Sequence, residues 1–227
     1  MRSKMNRFLN NVKTLRTDLS DWLIHFTKGN NDEASKRLIS ILREGIKGYG
    51  EPICFTESPI VEFSKLFKLF SAYPNPRFAP FGIAIKKDKL FDLGGRPVIY
   101  LKNTEKKYLK QEIQFLHVAY DPKQWDFSWQ REWRINIECL NLQKEDCVVI
   151  VQDETYAEDF FDFGLNVYRE ESGEISTNIF FRFDWYYITL NEIEELSKDR
   201  SCDELIVKLL SSLKETEIND YESGQIQ

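Results

Sequence analysis

The sequence predicts an α+β domain, and three observations carry that prediction. Apolar residues make up 42% of the 227 and aromatics 14%; seventeen Phe, ten Tyr and five Trp favour a sheet-rich core with aromatic-lined clefts. Segments with a period of two and segments with a helical period follow one another irregularly, without the even alternation of a doubly wound fold. No internal repeat, low-complexity tract or interdomain linker interrupts them. The chain therefore reads as one domain over residues 21–214, with a helix within 1–20 before it and a polar, disordered tail at 215–227.

Taken in order, Phe8, Val12, Leu15 and Leu19 recur at helical spacing and predict a helix over 4–20. Residues 22–27 read as the first strand. Asn30, Asn31 and Asp32 supply an N-cap to a helix that buries Leu38, Ile41 and Leu42, and Gly45 stops it. Residues 53–56 form a short strand. Ser58 and Pro59 open a helix that runs to Phe70, with Pro59 at its first position and an apolar stripe of Ile60, Phe63, Phe67 and Phe70. Residues 73–80 are a proline-rich loop. A strand at 81–85, a turn with a short helix at 86–93, a turn at 94–96 and a strand at 97–101 follow. Residues 104–118 read as a helix, 133–138 as a central strand and 147–151 as a buried strand. Residues 156–163 read as a short aromatic helix or turn, and 179–188 as one long aromatic strand. Thr189 with Glu192, and Ser201 with Glu204, are capping boxes that open the C-terminal helices.

Composition narrows the function. A formal net charge of −6 argues against broad non-specific nucleic-acid binding, which needs a basic surface, while leaving room for a local basic groove. Arg2, Lys4, Arg7, Lys13 and Arg16 stand among the first sixteen residues with no acid, which reads as a solvated helix face. Cys54, Cys139, Cys147 and Cys202 are scattered, and His25 and His117 are the two histidines, so no metal site is predicted. Cys54 and Cys147 lie in apolar runs and read as small buried hydrophobes. No apolar run approaches 18 residues and no signal-type segment is present, so the expectation is a soluble cytoplasmic protein with reduced thiols and no membrane partner. Gly45, Gly48 and Gly50 lack the Lys-Ser/Thr of a phosphate loop, and there is no Gly-x-Ser-x-Gly elbow. Catalysis, if present, rests on carboxylates and hydrogen bonds.

The segment from Trp129 to Ile137 is the most informative. With a period of two, Trp129, Arg131, Trp133, Ile135 and Ile137 fall on one face; Gln130, Glu132, Arg134 and Asn136 fall on the other. A strand with that second face is either wet or part of a site. Far upstream, His25 and Thr27 share one face of the first strand, and Phe55, Thr56, Glu57 and Ser58 end the second.

The order His25-x-Thr27, then Phe55 to Ser58, then Gln130-x-Glu132 resembles the ADP-ribosyltransferase superfamily over roughly residues 22–138. The resemblance implies a mostly antiparallel split sheet flanked by helices, and NAD as substrate. It implies that His25 and Thr27 hydrogen-bond the adenosine side of NAD and that Phe55, Thr56 and Ser58 support the nicotinamide pocket. Glu132 then stabilises the charge developing at the anomeric carbon, Gln130 sits near the acceptor, and Arg134 meets a phosphate or neutralises Glu132. Thr56-Glu57-Ser58 departs from the Ser-Thr-Ser of that superfamily, and the tyrosine that would stack on nicotinamide has no clear counterpart. Phe55, Phe63 and Tyr73 are the open choices.

Over residues 20–190 the chain is also similar to bacterial abortive-infection proteins of the AbiGi family. The similar stretches are His-Phe-Thr at 25, Cys-Phe-Thr-Glu-Ser-Pro at 54, Gly-Gly-Arg-Pro-Val-Ile-Tyr at 94 and Arg-Glu-Trp-Arg at 131. That resemblance implies phage defence, with a toxin or antitoxin partner. Two functions stay open: transfer of ADP-ribose from NAD to a protein or nucleic acid, and an inactive antitoxin or regulator. A nucleic-acid-processing enzyme using Glu57, Glu132 and Arg134 ranks third. The ordinary reading of Glu132 is an ion pair with Arg134 or Arg131. That of Glu57 is a carboxylate at the positive end of the Pro59 helix, and that of Arg96 an exposed turn arginine.

Overall fold

Nearly continuous apolar runs at three places in the chain build the centre of one sheet: β1 (Trp22–Phe26), β4 (Gly82–Lys86) and β10 (Cys147–Val151). The computed structural model describes residues 16, 18–161, 163–169, 175–181 and 183–196. Around those three strands lie β3 (Ile53–Thr56), β5 (Arg96–Pro97), β8 (Glu132–Ile135) and β13 (Tyr187–Thr189). The seven run in the order β13-β10-β4-β1-β3-β8-β5. Every pairing is antiparallel except that of β10 with β13. The class is thus α+β with a mixed, mostly antiparallel sheet.

Both faces of this sheet are covered, because its strands alternate apolar residues to each side. On one face Leu23, Ile53, Phe55, Ile83, Val149 and Trp133 pack with Leu38 and Leu42 of α1 (Asn31–Glu44) and Phe160 of α4 (Glu154–Phe161). On the other, Trp22, Ile24, Phe26, Val148 and Ile150 pack with Ile60, Phe63 and Phe67 of α2 (Ile60–Phe70) and Ile193 of α5 (Leu190–Leu196). A short helix, α3 (Lys87–Asp92), follows β4. No described helix is long and apolar enough to cross a membrane.

The local signals place the helix ends. The Asn30 side chain accepts from the Glu33 N–H at 3.0 Å, and Gly45 ends α1 at φ 81°. Thr189 and Glu192 form a complete capping box: the Glu192 N–H donates to Thr189 Oγ1 at 3.1 Å and the Thr189 N–H to Glu192 Oε2 at 2.9 Å. Thr189→Ala is expected to cost about 1 kcal/mol of stability, measured by urea denaturation, because one end of α5 loses its acceptor.

Several expected elements differ. The helix expected over 104–118 is two 3₁₀ turns, Asn103–Tyr108 and Gln111–Leu116, followed by β7 (His117–Ala119). Leu109 and Lys110 are extended, and no residue of the first turn is buried, so nothing apolar holds a continuous helix there. The strand expected over 97–101 divides after Pro97, and β6 (Ile99–Leu101) leaves the main sheet to pair in parallel with β7. The long strand expected over 179–188 is also two. β12 (Ile175–Phe181) forms a hairpin with β11 (Phe163–Arg169), while β13 joins the main sheet. Two short strands, β2 (Ile46–Lys47) and β9 (Cys139–Leu140), form a separate pair. Pro59 is the N-cap of α2 rather than its first helical residue. Arg16 and residues 18–20 are not helical, so the helix expected to reach residue 20 does not; the rest of it, Ser201 with Glu204 and the tail at 215–227 lie outside the described residues.

Candidate functional site

One junction in the sheet is incomplete. β1 and β3 share a single paired position, Ile24 with Thr56, although β1 pairs with β4 along five residues and β3 with β8 along four. Beyond Ile24 the two strands part, and His25 occupies the gap. Its Nδ1 donates to the Cys54 carbonyl at 2.8 Å, and its ring meets Phe55 edge-on at 5.7 Å. A cleft of about 740 Å³ opens at this split, lined from both faces of the sheet.

The residues that face the cleft follow from register. Paired residues of antiparallel strands share a face, so Ile24, Thr56 and Glu132 lie together, as do Cys54 and Arg134. The apolar layer under α2 therefore gives way, beyond β1, to a polar strip on β3 and β8. Glu132 Oε1 accepts from Arg134 Nε at 2.8 Å; the side chains are 12% and 21% exposed. Arg134 Nη1 donates to the carbonyls of Phe115 at 2.8 Å and His117 at 3.1 Å. Burial by itself would lower the Arg134 pKa, but the hydrogen bond and charge of Glu132 outweigh it and raise it. The Cys54 thiol stands beside both the Glu132 carboxylate and Arg134 on the same strip.

Gln130 reaches the cleft by a route that alternation does not give. Ser128–Gln130 is a 3₁₀ turn and Arg131 is left-handed at φ 46°, so the strand begins at Glu132 rather than Trp129. The turn is held by two hydroxyls: Thr56 Oγ1 donates to the Gln130 carbonyl, and Ser58 Oγ to the Trp129 carbonyl. Thr56 and Ser58 are both buried, and Ser58 lies outside the cleft lining. Their role is to position the turn that carries Gln130. Thr27 lines the cleft, but its hydroxyl donates to the Phe81 carbonyl at 3.0 Å. Phe55 is buried beneath the cleft against His25.

Two expected roles are corrected. Cys54 is exposed to the cleft rather than buried, because its side chain falls on the polar strip opposite Arg134. Restricted solvation and then the Glu132 carboxylate nonetheless push its thiol up to about 12. Glu57 does not cap α2. It bonds Lys87 Nζ through Oε1 and Trp133 Nε1 through Oε2, each at 2.8 Å, on the sheet face away from Glu132. Arg96 stands over the Phe91 ring at 3.8 Å and donates to the carbonyls of Phe91 and Gly95.

Sequence reasoning missed the basic rim. Lys28, Arg37, Lys47 and Arg77 line the cleft, with Glu51 and Glu132 as the acidic groups. They come from a turn, α1, β2 and the proline-rich loop, so no single window of sequence brings them together. Tyr100 was also missed: its hydroxyl lies 3.4 Å from the Glu132 amide, and removal from water and the Glu132 carboxylate raise its pKa. No group of His, Cys, Asp and Glu among the described residues is arranged to hold a metal ion.

Withdrawal from water lowers the His25 pKa, with the Lys28 charge acting the same way and the Cys54 hydrogen bond opposing. A depressed histidine pKa means the unfolded chain binds the proton more readily. His25 therefore contributes stability that is present above the unfolded value of about 6.5 and declines as pH falls below it. The difference in unfolding free energy between the wild type and His25→Asn is expected to shrink from pH 7.5 to pH 5. A constant difference would leave His25 without that linkage. No protein-family profile, curated protein or solved structure matches this chain.

Proposed function

We propose that the cleft binds NAD and that the protein is an ADP-ribosyltransferase-like enzyme of a phage-defence system. The observation that supports this reading most is convergence. His25 and, more than a hundred residues further along the chain, Gln130, Glu132 and Arg134 line one cleft at the split between β1 and β3, beneath a basic rim. In a chain of net charge −6, a cleft rimmed by Lys28, Arg37, Lys47 and Arg77 favours an anionic ligand, and a dinucleotide supplies two phosphates. His25, hydrogen-bonded through Nδ1 and held neutral by burial, keeps Nε2 as an acceptor for a ribose hydroxyl.

In the reaction the N-glycosidic bond of NAD breaks and nicotinamide leaves with the bonding pair. The oxocarbenium-like carbon then bonds a nucleophile from a protein, a nucleic acid or water, which loses its proton. Glu132 accepts a ribose hydroxyl and stabilises the positive charge at that carbon. Arg134 fixes the carboxylate, and Gln130 lies two residues before it, beside the acceptor. Purified protein incubated with NAD labelled in the nicotinamide ring is expected to release nicotinamide; absence of both release and NAD binding would remove this reading.

A second reading is a non-catalytic antitoxin or regulator that pairs with a toxin. The observation favouring it is that Arg134 is bonded on one side to Glu132 and on the other to the carbonyls of Phe115 and His117, the pattern of an ion pair that ties β8 to a neighbouring segment. NAD binding without turnover, together with co-purification of a neighbouring gene product, would favour it.

A further inference from the structure

We propose that Tyr49 is a ligand-binding residue, stacking its ring on the planar base of a nucleotide held in the cleft. This deepens the dinucleotide reading and rests on it. The turn at 48–51 is closed by the Glu51 N–H donating to the Gly48 carbonyl at 2.9 Å. Its two central residues are both left-handed, Tyr49 at φ 50° and Gly50 at φ 83°. That is the pattern of a type I′ turn, whose central positions favour Asn, Asp and Gly because a Cβ crowds the backbone there. A tyrosine at the first of them costs conformational energy.

Packing does not offset that cost. Tyr49 is 85% exposed and makes no ring contact with another aromatic among the described residues. A residue strained in its backbone and unsupported by the core is of the kind that concentrates at ligand sites. The turn is also held in place. The Gly48 N–H donates to the Glu138 carbonyl at 2.8 Å, and a Cβ on Gly48 would come within 2.6 Å of the Glu51 oxygen and 2.7 Å of the Ile137 oxygen. Tyr49 thus lines the cleft from a fixed base, together with Arg37 and Lys28, neither of which has an ion-pair partner among the described residues. A flat aromatic face and cations lining one cleft match the two chemistries of a nucleotide, a planar base and phosphate oxygens.

The test uses the full chain and calorimetric titration with NAD, AMP and inorganic pyrophosphate. Tyr49→Asn is expected to weaken NAD and AMP about tenfold or more, and to leave pyrophosphate within about twofold. Its melting temperature is expected to equal or exceed that of the wild type, since Asn suits the left-handed position. Tyr49→Phe is expected to keep NAD affinity within about threefold, because stacking needs the ring and not the hydroxyl. Unchanged NAD and AMP affinity in Tyr49→Asn would overturn the proposal, as would an equal loss for pyrophosphate. Wild-type protein that binds AMP through Tyr49 but neither binds nor cleaves NAD would keep the stacking role and remove the dinucleotide reading. Wild-type protein that binds neither NAD nor AMP would overturn both.

Discussion

Glu132→Gln is expected to lower the rate of nicotinamide release from NAD by about a hundredfold to ten-thousandfold, with the Michaelis constant changed by less than about threefold. The physical reason lies in what the substitution keeps. Glutamine has nearly the same shape and can still accept from Arg134 Nε, so the strand and the Phe115 and His117 contacts remain. It lacks the negative charge, and that charge counts most when the anomeric carbon becomes positive. The partly buried pair with Arg134 loses its ionic character, at a cost of about 1–2 kcal/mol. Single-turnover kinetics beside a urea melt separates the two effects. A variant that turned over NAD at the wild-type rate would remove Glu132 from the chemistry and leave it as the structural partner of Arg134.

Phe63→Ala is expected to destabilise the fold by about 3–5 kcal/mol, the range for a large aromatic removed from a core that cannot collapse. Phe63 is fully buried and its ring meets those of Phe26 at 4.8 Å, Phe78 at 5.5 Å, Phe67 at 5.9 Å and Trp129 at 5.9 Å. Trp129 belongs to the turn that carries Gln130, and Phe78 lines the cleft. The substitution is therefore expected to weaken NAD binding as well as the fold, whereas Ile193→Val, in the same layer, should cost about 1 kcal/mol and leave the cleft unchanged. Equal losses of stability in the two variants would mean that Phe63 does not hold this cluster together.

Legibility in the sequence followed how local each signal was. The α1 cap at Asn30, its stop at Gly45 and the Thr189–Glu192 capping box are decided by residues within four positions of one another, and each is formed as read. The apolar stripe from Ile60 to Phe67 likewise needs only its own spacing to identify a buried helix face. Continuity over longer spans was not legible. Residues 97–101, 104–118 and 179–188 each read as one element and are divided, because where a strand changes sheet depends on which neighbour offers hydrogen bonds. Gln130 was read as part of the site on the premise of a continuous strand. It lines the cleft through a 3₁₀ turn and a left-handed Arg131 instead, a geometry that strand alternation does not give.

The sequence by itself determined an α+β chain, its principal strands and helices, and a polar strip of Glu132 and Arg134 on an otherwise apolar strand. Those follow from periodicity and capping, which act within a few residues. Only the tertiary structure decided that β1 and β3 part after one paired position, that Cys54 faces the opening rather than the core, and that cations from four separate elements meet at one rim. His25 and Glu132 lie on opposite faces of the sheet by parity and still line one cleft, because the sheet itself opens between their strands. That opening depends on how two distant segments pair, and strand register is set by packing across the whole sheet rather than by either segment alone.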